Sequence, residues 1–358
     1  MGEFFRKSCR AFIGLIIIII VSILSLLFYV DIDDGYASAE TKSGAYCLME
    51  VNTKTVLDSH NSDVRLPMAS TTKAMTALLS CESGKMDDTV TITAESVGVE
   101  GSSIYLKVGD KPTLRDLTYG LMLRSGNDAA TAIAIYLGGT VEKFVDKMND
   151  RAREMGLYDT NFINPHGLHD DNHYTTAKEL ATIACEGLKN EELKKIVGST
   201  SYRTSEETPR LFINKNKLLR SYEGATGFKT GYTKKAGRCL IASSSRNGLD
   251  VVAVVLNEPD MWYKCASLMD YAHDTYKYEV YAKANEAIGE IPVKLYEESA
   301  AKIGPKKEVG IVCKKECTIN VVRKIDNYIE RYEKGIKVGV LEIFIDNKLQ
   351  FSIDLVTI

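Results

Sequence analysis

Positive charge is not in excess in this 358-residue sequence: 45 Lys and Arg stand against 48 Asp and Glu, a net charge of −3. Proteins that grip nucleic acid through its phosphates need a basic field, so that class is excluded and no nucleic-acid partner is expected. A mean hydropathy of −0.12 excludes a polytopic membrane protein. Internal repeats and low-complexity linkers are absent. The cysteines form no disulfide framework: they lie at 9, 47, 81, 185, 239, 265, 313 and 317, and without Cys9, in the leading segment, an odd, widely spaced set remains. Cys81, Cys185, Cys239 and Cys265 fall in apolar stretches and read as buried thiols. Cys313 and Cys317 form C-x3-C, but no second pair and no nearby His completes a zinc set, so neither metal nor cofactor is expected. What remains is ordinary globular usage, 45% hydrophobic and 26% charged, at a length that suggests two domains or one with an appendage.

The first thirty residues are of another kind. Arg6, Lys7 and Arg10 precede an apolar run from Ala11 to Val30, and Asp31, Asp33 and Asp34 follow. Positive before and acidic after orients the N-terminus to the cytosol and the body outward. Two readings stay open for residues 1–39. The run is long enough for a retained anchor at the cytoplasmic membrane. Alternatively, Ala37-Ser38-Ala39 closes a cleavable signal peptide. Either places the body outside the cytoplasmic membrane.

From Ala45 to Asp58, two short apolar strands flank Asn52-Thr53-Lys54-Thr55 as a hairpin. Helical patterns follow at 71–80, 113–124, 128–138, 141–155 and 176–188. Strands are expected at 238–245 and 249–256, then a helix from Met261 to about Ala284. Strands, a helical middle, strands and a helix make an α/β (α+β) domain over 40–285, an antiparallel sheet covered by a helical cluster. Residues 290–358 read as a small all-β domain with no catalytic pattern.

Three short motifs carry chemistry, and their order matters more than any one. Ser70-Thr71-Thr72-Lys73 follows Pro67, so Ser70 sits in the first turn of a helix with Lys73 on the same face. A serine hydroxyl is a poor nucleophile until a base takes its proton, and a partly desolvated amine can be that base. The helix start also offers unpaired N–H groups to a developing oxyanion. Alone the pattern is weak, since composition gives about one S-x-x-K by chance at this length; Ser299-Ala300-Ala301-Lys302 is such a decoy. Ser125-Gly126-Asn127 by itself reads as a helix-connecting turn with Asp128 as N-cap. Its functional reading makes Ser125 a proton relay and has the Asn127 amide bridge Lys73 and a substrate carbonyl. Lys229-Thr230-Gly231 offers a cation and a hydroxyl to a substrate carboxylate, and a bare Cα where substrate backbone could lie along a strand edge.

In the order Ser70, Ser125, Lys229 these match the motif set of class A β-lactamases and penicillin-binding proteins. The segments 66–76, 125–130, Asn164-Pro165-His166-Gly167-Leu168 and 227–233 resemble the D-alanyl-D-alanine carboxypeptidases, the low-molecular-mass penicillin-binding proteins. The resemblance covers about residues 40–280, and the part after 290 is similar to that family's C-terminal domain. It implies a β-lactamase/transpeptidase-like fold, with Ser70 as acylated nucleophile, Lys73 as general base, and Ser125 and Asn127 relaying protons and holding substrate. It further implies that Lys229 and Thr230 bind the terminal carboxylate, and that the N–H groups of Ser70 and Tyr232 form an oxyanion hole beside Gly231. The substrate would be the D-Ala-D-Ala end of a peptidoglycan stem peptide, with β-lactams as covalent inhibitors. By spacing, Lys264 falls where some members use an Arg for the carboxylate, Glu179 stands where the family often has Asp, and His166 reads as a packing residue. A β-lactamase of class A would need an E-x-x-L-N pattern between Asn127 and Lys229, and none is there. A non-catalytic penicillin sensor or wall-binding scaffold stays open as the other alternative.

Overall fold

Glu50 ends the first strand with its carboxylate buried, accepting the N–H groups of Asn52 at 2.9 Å and Thr53 at 2.7 Å. That tie turns β1 (Ala45–Glu50) back into β2 (Val56–His60), the hairpin read from the sequence. The computed structural model describes residues 44–205, 207–295 and 299–358. The apolar run at 11–30 and the Ala37-Ser38-Ala39 site lie outside them.

A helical middle follows: α1 (Lys73–Glu82), α2 (Leu114–Tyr119), α3 (Asn127–Gly138), α4 (Val141–Glu154), α5 (Ala177–Lys189) and α6 (Glu191–Gly198). Threonines cap three starts by accepting a backbone N–H three residues on: Thr113, Thr140 and Thr176, the first with Asp116 in a reciprocal capping box. The chain then forms a small hairpin, β3 (Ser201–Arg203) with β4 (Leu211–Ile213), and the long strands β5 (Ala225–Thr233), β6 (Gly237–Arg246) and β7 (Leu249–Leu256). The main sheet is antiparallel in the order β2-β1-β7-β6-β5.

Both faces of this sheet are dry. Cys239, Ile241, Val252, Val254 and Leu256 join the helical core with residues of α1, α3 and α5. Leu240, Ala242, Val251, Ala253 and Val255 point the other way, onto Cys265, Leu268, Met269 and Ala272 of α7 (Met261–Thr275). Two-sided burial is why the β7 sequence is apolar without alternation. The outer strand β5 lies against the turn that carries Ser70.

The helix expected to reach Ala284 stops at Thr275. Tyr276, Tyr278 and Val280 alternate with polar residues, and β8 (Tyr276–Ala282) pairs antiparallel with the strand Val309–Lys314 instead of continuing α7. The rest is all β, as expected: β9 (Gly289–Pro292), β10 (Ala300–Pro305), β11 (Val309–Lys314), β12 (Ile319–Ile325), β13 (Lys337–Ile345) and β14 (Lys348–Thr357), with a sheet order β12-β13-β14-β10-β9. It has its own core, including Ile291, Ile303, Ile311, Leu341, Ile343 and Leu355. The decoy Lys302 lies in β10, directly after Ser299; side chains three apart on a strand face opposite ways, so the pair cannot meet. Cys313 and Cys317 are joined by a disulfide, a pairing the sequence did not announce, while Cys47, Cys81, Cys185, Cys239 and Cys265 are free and buried.

Candidate active site

Ser70 sits in a 3-10 turn, Ala69–Thr72, that leads into α1. The turn is built from its own hydroxyls: Thr71 Oγ1 donates to the Met68 carbonyl at 2.5 Å and Thr72 Oγ1 to the Ala69 carbonyl at 2.8 Å. Ala69 is held at φ +48°, a left-handed conformation that costs a non-glycine residue free energy. The loop 164–168 is pressed against it. A Cβ on Gly167 would run into the Ala69 carbonyl, so only glycine fits there. Behind the turn, the buried His173 places Nε2 2.7 Å from Thr72 Oγ1, and its Nδ1 accepts the Ile163 N–H at 2.9 Å. With Nδ1 accepting, Nε2 carries the proton and donates to Thr72.

Lys73 is wholly buried, with three oxygens around its amine: Ser70 Oγ at 3.0 Å, Asn127 Oδ1 at 2.7 Å and the His166 carbonyl at 2.6 Å. Burial pushes the amine well below the ordinary lysine value, helped by the charges of Lys229 and Lys215, while Asp128 pulls the other way. The last two oxygens can only accept. A neutral amine has two protons to give them and a lone pair left for the Ser70 hydroxyl. That is the disposition a general base needs.

Ser125 follows a π-helical turn, Gly120–Arg124, and caps it in the left-handed conformation at φ +65°. The turn and the kink put Ser125 on the cleft wall. Asn127 opens α3; its N–H donates to the Ser102 carbonyl at 2.7 Å and its Nδ2 to the Glu100 carbonyl. The amide therefore ties Lys73 to the loop at 100–102, where a bridge from Lys73 to a substrate carbonyl was expected. Asp128 is no N-cap either. Its carboxylate reaches back to the N–H groups of Ile104 at 3.0 Å and Leu106 at 3.1 Å, and to the Ser103 hydroxyl at 2.5 Å. The triplet and its neighbour thus hold the opposite rim of the cleft.

Along β5, Gly231 has a different reason from the one expected. A Cβ there would stand 3.1 Å from both the Ser70 and Thr71 nitrogens, so the bare Cα admits the Ser70 turn instead of substrate backbone. Thr230 and Tyr232 line the cleft with Ser70 and Ser125. Lys229 is buried, donates to the Thr230 carbonyl at 2.8 Å, and is pushed down to about 7 by burial and then by Lys215. Lys264 is not among the cleft-lining residues: its ammonium lies 4.0 Å over the ring of Tyr46 in β1, with β6 and β7 between that strand and β5. Glu179 is remote as well, accepting the Asp159 N–H at 2.9 Å and the Thr160 hydroxyl.

Four lining residues were not anticipated: Ser102, Lys215, Met261 and Trp262 close a cleft of about 330 Å³. Lys215 follows β4, its N–H bound to the Leu123 carbonyl at 3.2 Å and its ammonium 3.2 Å from Ser102 Oγ. The hairpin that carries it is anchored by Asp116, which accepts the Tyr202 and Ser205 hydroxyls at 2.9 and 2.6 Å. The segment Asn214-Lys215-Asn216-Lys217 fits no motif and gives no sequence signal. His166 contributes its carbonyl; its ring accepts the Leu168 N–H at 3.2 Å, the packing role expected of it.

Residues 34–260 match the family described as D-alanyl-D-alanine carboxypeptidase, Peptidase_S11. The D-alanyl-D-alanine carboxypeptidase DacF of Bacillus subtilis (strain 168) is 34% identical over 324 residues, 87% of this chain and 83% of that one. The D-alanyl-D-alanine carboxypeptidase of Streptomyces sp. (strain K15) is 37% identical over 232 residues, 60% of this chain and 79% of the relative. Among solved structures, penicillin binding protein 5 from Haemophilus influenzae superposes with a TM-score of 0.76 at 27% identity, over 88% of this chain and 96% of that one.

Proposed function

The chain belongs to the D-alanyl-D-alanine carboxypeptidase family, and from that premise we propose how its site removes the last D-alanine of a peptidoglycan stem peptide. It is a serine-type carboxypeptidase. Ser70 Oγ attacks the carbonyl carbon of the penultimate D-alanine while its proton passes to Lys73 Nζ. The N–H groups of Ser70 and Tyr232 hold the oxyanion. The C–N bond then breaks, the terminal D-alanine amine leaving with a proton from Lys73 by way of Ser125. Water attacks the resulting ester and gives a proton to the same amine; the C–O bond to Ser70 breaks as that amine passes the proton to Ser70 Oγ, restoring both groups. The observation that carries this reading is the Lys73 amine 3.0 Å from Ser70 Oγ with its remaining partners both pure acceptors.

For the terminal carboxylate we assign Thr230 and Lys215, the hydroxyl and ammonium that line the cleft, with Lys229 supplying positive potential from behind. Lys264, over Tyr46, takes no part. β-Lactams, which carry a carboxylate beside a strained amide, acylate Ser70 by the same first step and stay. The work is extracytoplasmic, where the substrate lies. A disulfide at Cys313–Cys317 is in keeping with an oxidising compartment. We place the protein at the outer face of the cytoplasmic membrane or in the wall, with residues 1–39 as anchor or cleaved signal, residues 40–285 as the catalytic domain and 290–358 as an accessory β domain.

The test is D-alanine release from a synthetic peptide ending in D-Ala-D-Ala, with Ser70→Ala and benzylpenicillin-treated protein beside it. Release that both abolish supports the assignment. Penicillin trapped at Ser70 with no release from the peptide would overturn the carboxypeptidase mechanism in favour of a sensor, and rapid penicillin turnover would favour a β-lactamase.

A further inference from the structure

The Ala69 carbonyl and the Ser70 N–H belong to one planar trans peptide. They point in opposite directions, so whatever fixes the carbonyl also aims the N–H. Thr72 Oγ1 donates to that carbonyl at 2.8 Å. The same hydroxyl accepts from His173 Nε2, 2.7 Å away, and His173 Nδ1 accepts the Ile163 N–H at 2.9 Å. The three bonds form a relay in one direction: Ile163 N–H to Nδ1, Nε2–H to the hydroxyl, and the hydroxyl to the carbonyl. Thr72 and His173 are both buried, so a donor lost from the relay leaves its acceptor unsatisfied.

The peptide at the end of the relay needs holding. Ala69 stands at φ +48°, a conformation that persists in a non-glycine residue only where the surroundings over-determine it. The loop on the far side of the relay is itself fixed. The Phe162 ring meets the imidazole edge-on at 5.9 Å, and the Pro165 carbonyl accepts the Thr76 hydroxyl at 2.7 Å. On the near side, β5 closes on the Ser70 nitrogen, which a Cβ on Gly231 would approach to 3.1 Å. His173 therefore connects a fixed loop to the one peptide whose N–H is assigned to the oxyanion.

We propose that His173 is a positioning residue: through Thr72 it holds the Ala69–Ser70 peptide so that the Ser70 N–H meets the oxyanion and the Ser70 hydroxyl meets Lys73. It touches neither the substrate nor the reacting atoms. This inference rests on Ser70 being the nucleophile of the carboxypeptidase reading.

The experiment follows Ser70 acylation by benzylpenicillin up to saturation, at a temperature well below the melting of every variant. Saturation separates the half-saturating concentration from the limiting rate constant. A glutamine sets its amide nitrogen where Nε2 stood, so His173→Gln keeps the donor to Thr72. An asparagine sets its amide oxygen where Nδ1 stood, so His173→Asn keeps only the acceptor for Ile163. His173→Asn is expected to lower the limiting rate constant by at least about tenfold, short of the roughly 10²–10³ lost with a whole oxyanion donor. Its half-saturating concentration should stay within about twofold, since ground-state binding is untouched. His173→Gln should keep most of the rate. Thr72→Val should match His173→Asn, and Thr72→Ser should restore the rate. Adding Thr72→Val to His173→Asn should cost nothing further, because both act on one carbonyl. Equal losses in the glutamine and asparagine variants, an effect confined to half-saturation, or losses that multiply in the double variant would each overturn the proposal. Should the unmodified protein neither release D-alanine nor take benzylpenicillin, the carboxypeptidase reading fails by itself. A fluorophosphonate, which an activated serine attacks with loss of fluoride, then ranks the same variants at Ser70. Glutamine above asparagine still supports the relay; equal rates, or no labelling of Ser70, overturn it.

Discussion

At the scale of single residues, the site depends on who can donate and who can only accept. Lys215 is the cation in the cleft that no motif flags, exposed and within hydrogen-bond distance of Ser102 Oγ. Lys215→Gln is expected to lower kcat/KM for a free-acid D-Ala-D-Ala peptide by about tenfold, the lower end of what a charge-assisted hydrogen bond contributes. The same peptide with a C-terminal amide should be nearly indifferent to the change; equal losses on both peptides would assign Lys215 to general electrostatics and not to the carboxylate. The histidines behind the nucleophile turn make a second expectation. Burial pushes His173 down to about 4 and His166 to about 3, the latter helped by Lys73. The unfolded chain binds those protons near pH 6.5, so it holds more protons than the fold between that pH and the depressed values. Stability is therefore full above about pH 6.5 and falls as pH drops, by about 1.4 kcal/mol per pH unit for each ring. Thermal unfolding from pH 7 to 4 checks this, and His173→Gln should flatten the slope. A slope unchanged by that substitution would remove His173 from the account.

Between elements, the contact that matters is β5 against the 3-10 turn. Gly231→Ala would put a methyl 3.1 Å from the Ser70 and Thr71 nitrogens, so strand and turn must part by a few tenths of an ångström. Ser70 acylation by a fluorescent penicillin is expected to slow at least tenfold, while the unfolding free energy drops by about 1 kcal/mol, as overpacking does at its mild end. A melting loss with normal acylation would mean the glycine serves packing alone. The same contact shows what could be read in the sequence. Ser70 with Lys73, Ser125 with Asn127, and Lys229 with Thr230 were legible because helix spacing or motif order fixes them. The hairpin β1–β2, helices α3 to α5 and strands β6 and β7 were legible from periodicity and turn residues. Lys215, Ser102, the His166 carbonyl and the anchoring role of Asp128 were not, because each is placed by a contact between segments far apart in the chain. Lys264 was misplaced for the converse reason: spacing brought it to the right helix, but its side chain follows the Tyr46 ring away from the site. The segment 276–282 continued a helical reading until a partner strand, β11, claimed it.

For the whole molecule, the cleft and the C-terminal sheet rest on separate cores. Cys313–Cys317 closes a short turn between β11 and β12. Cys317→Ser is therefore expected to cost about 2 kcal/mol, the chain-entropy figure for so small a loop. D-alanine release should be unchanged; a loss of activity would show that the β domain shapes the cleft. The central claim concerns the neutral amine of Lys73, and the pH dependence of Ser70 acylation by benzylpenicillin tests it most directly. A base must be unprotonated to work, so the rate constant should rise with pH and level off well below 10.5, where an ordinary lysine titrates. A rate that keeps climbing past 10.5, or that falls as pH rises from neutrality, would contradict a Lys73 kept neutral by burial and by its neighbouring lysines.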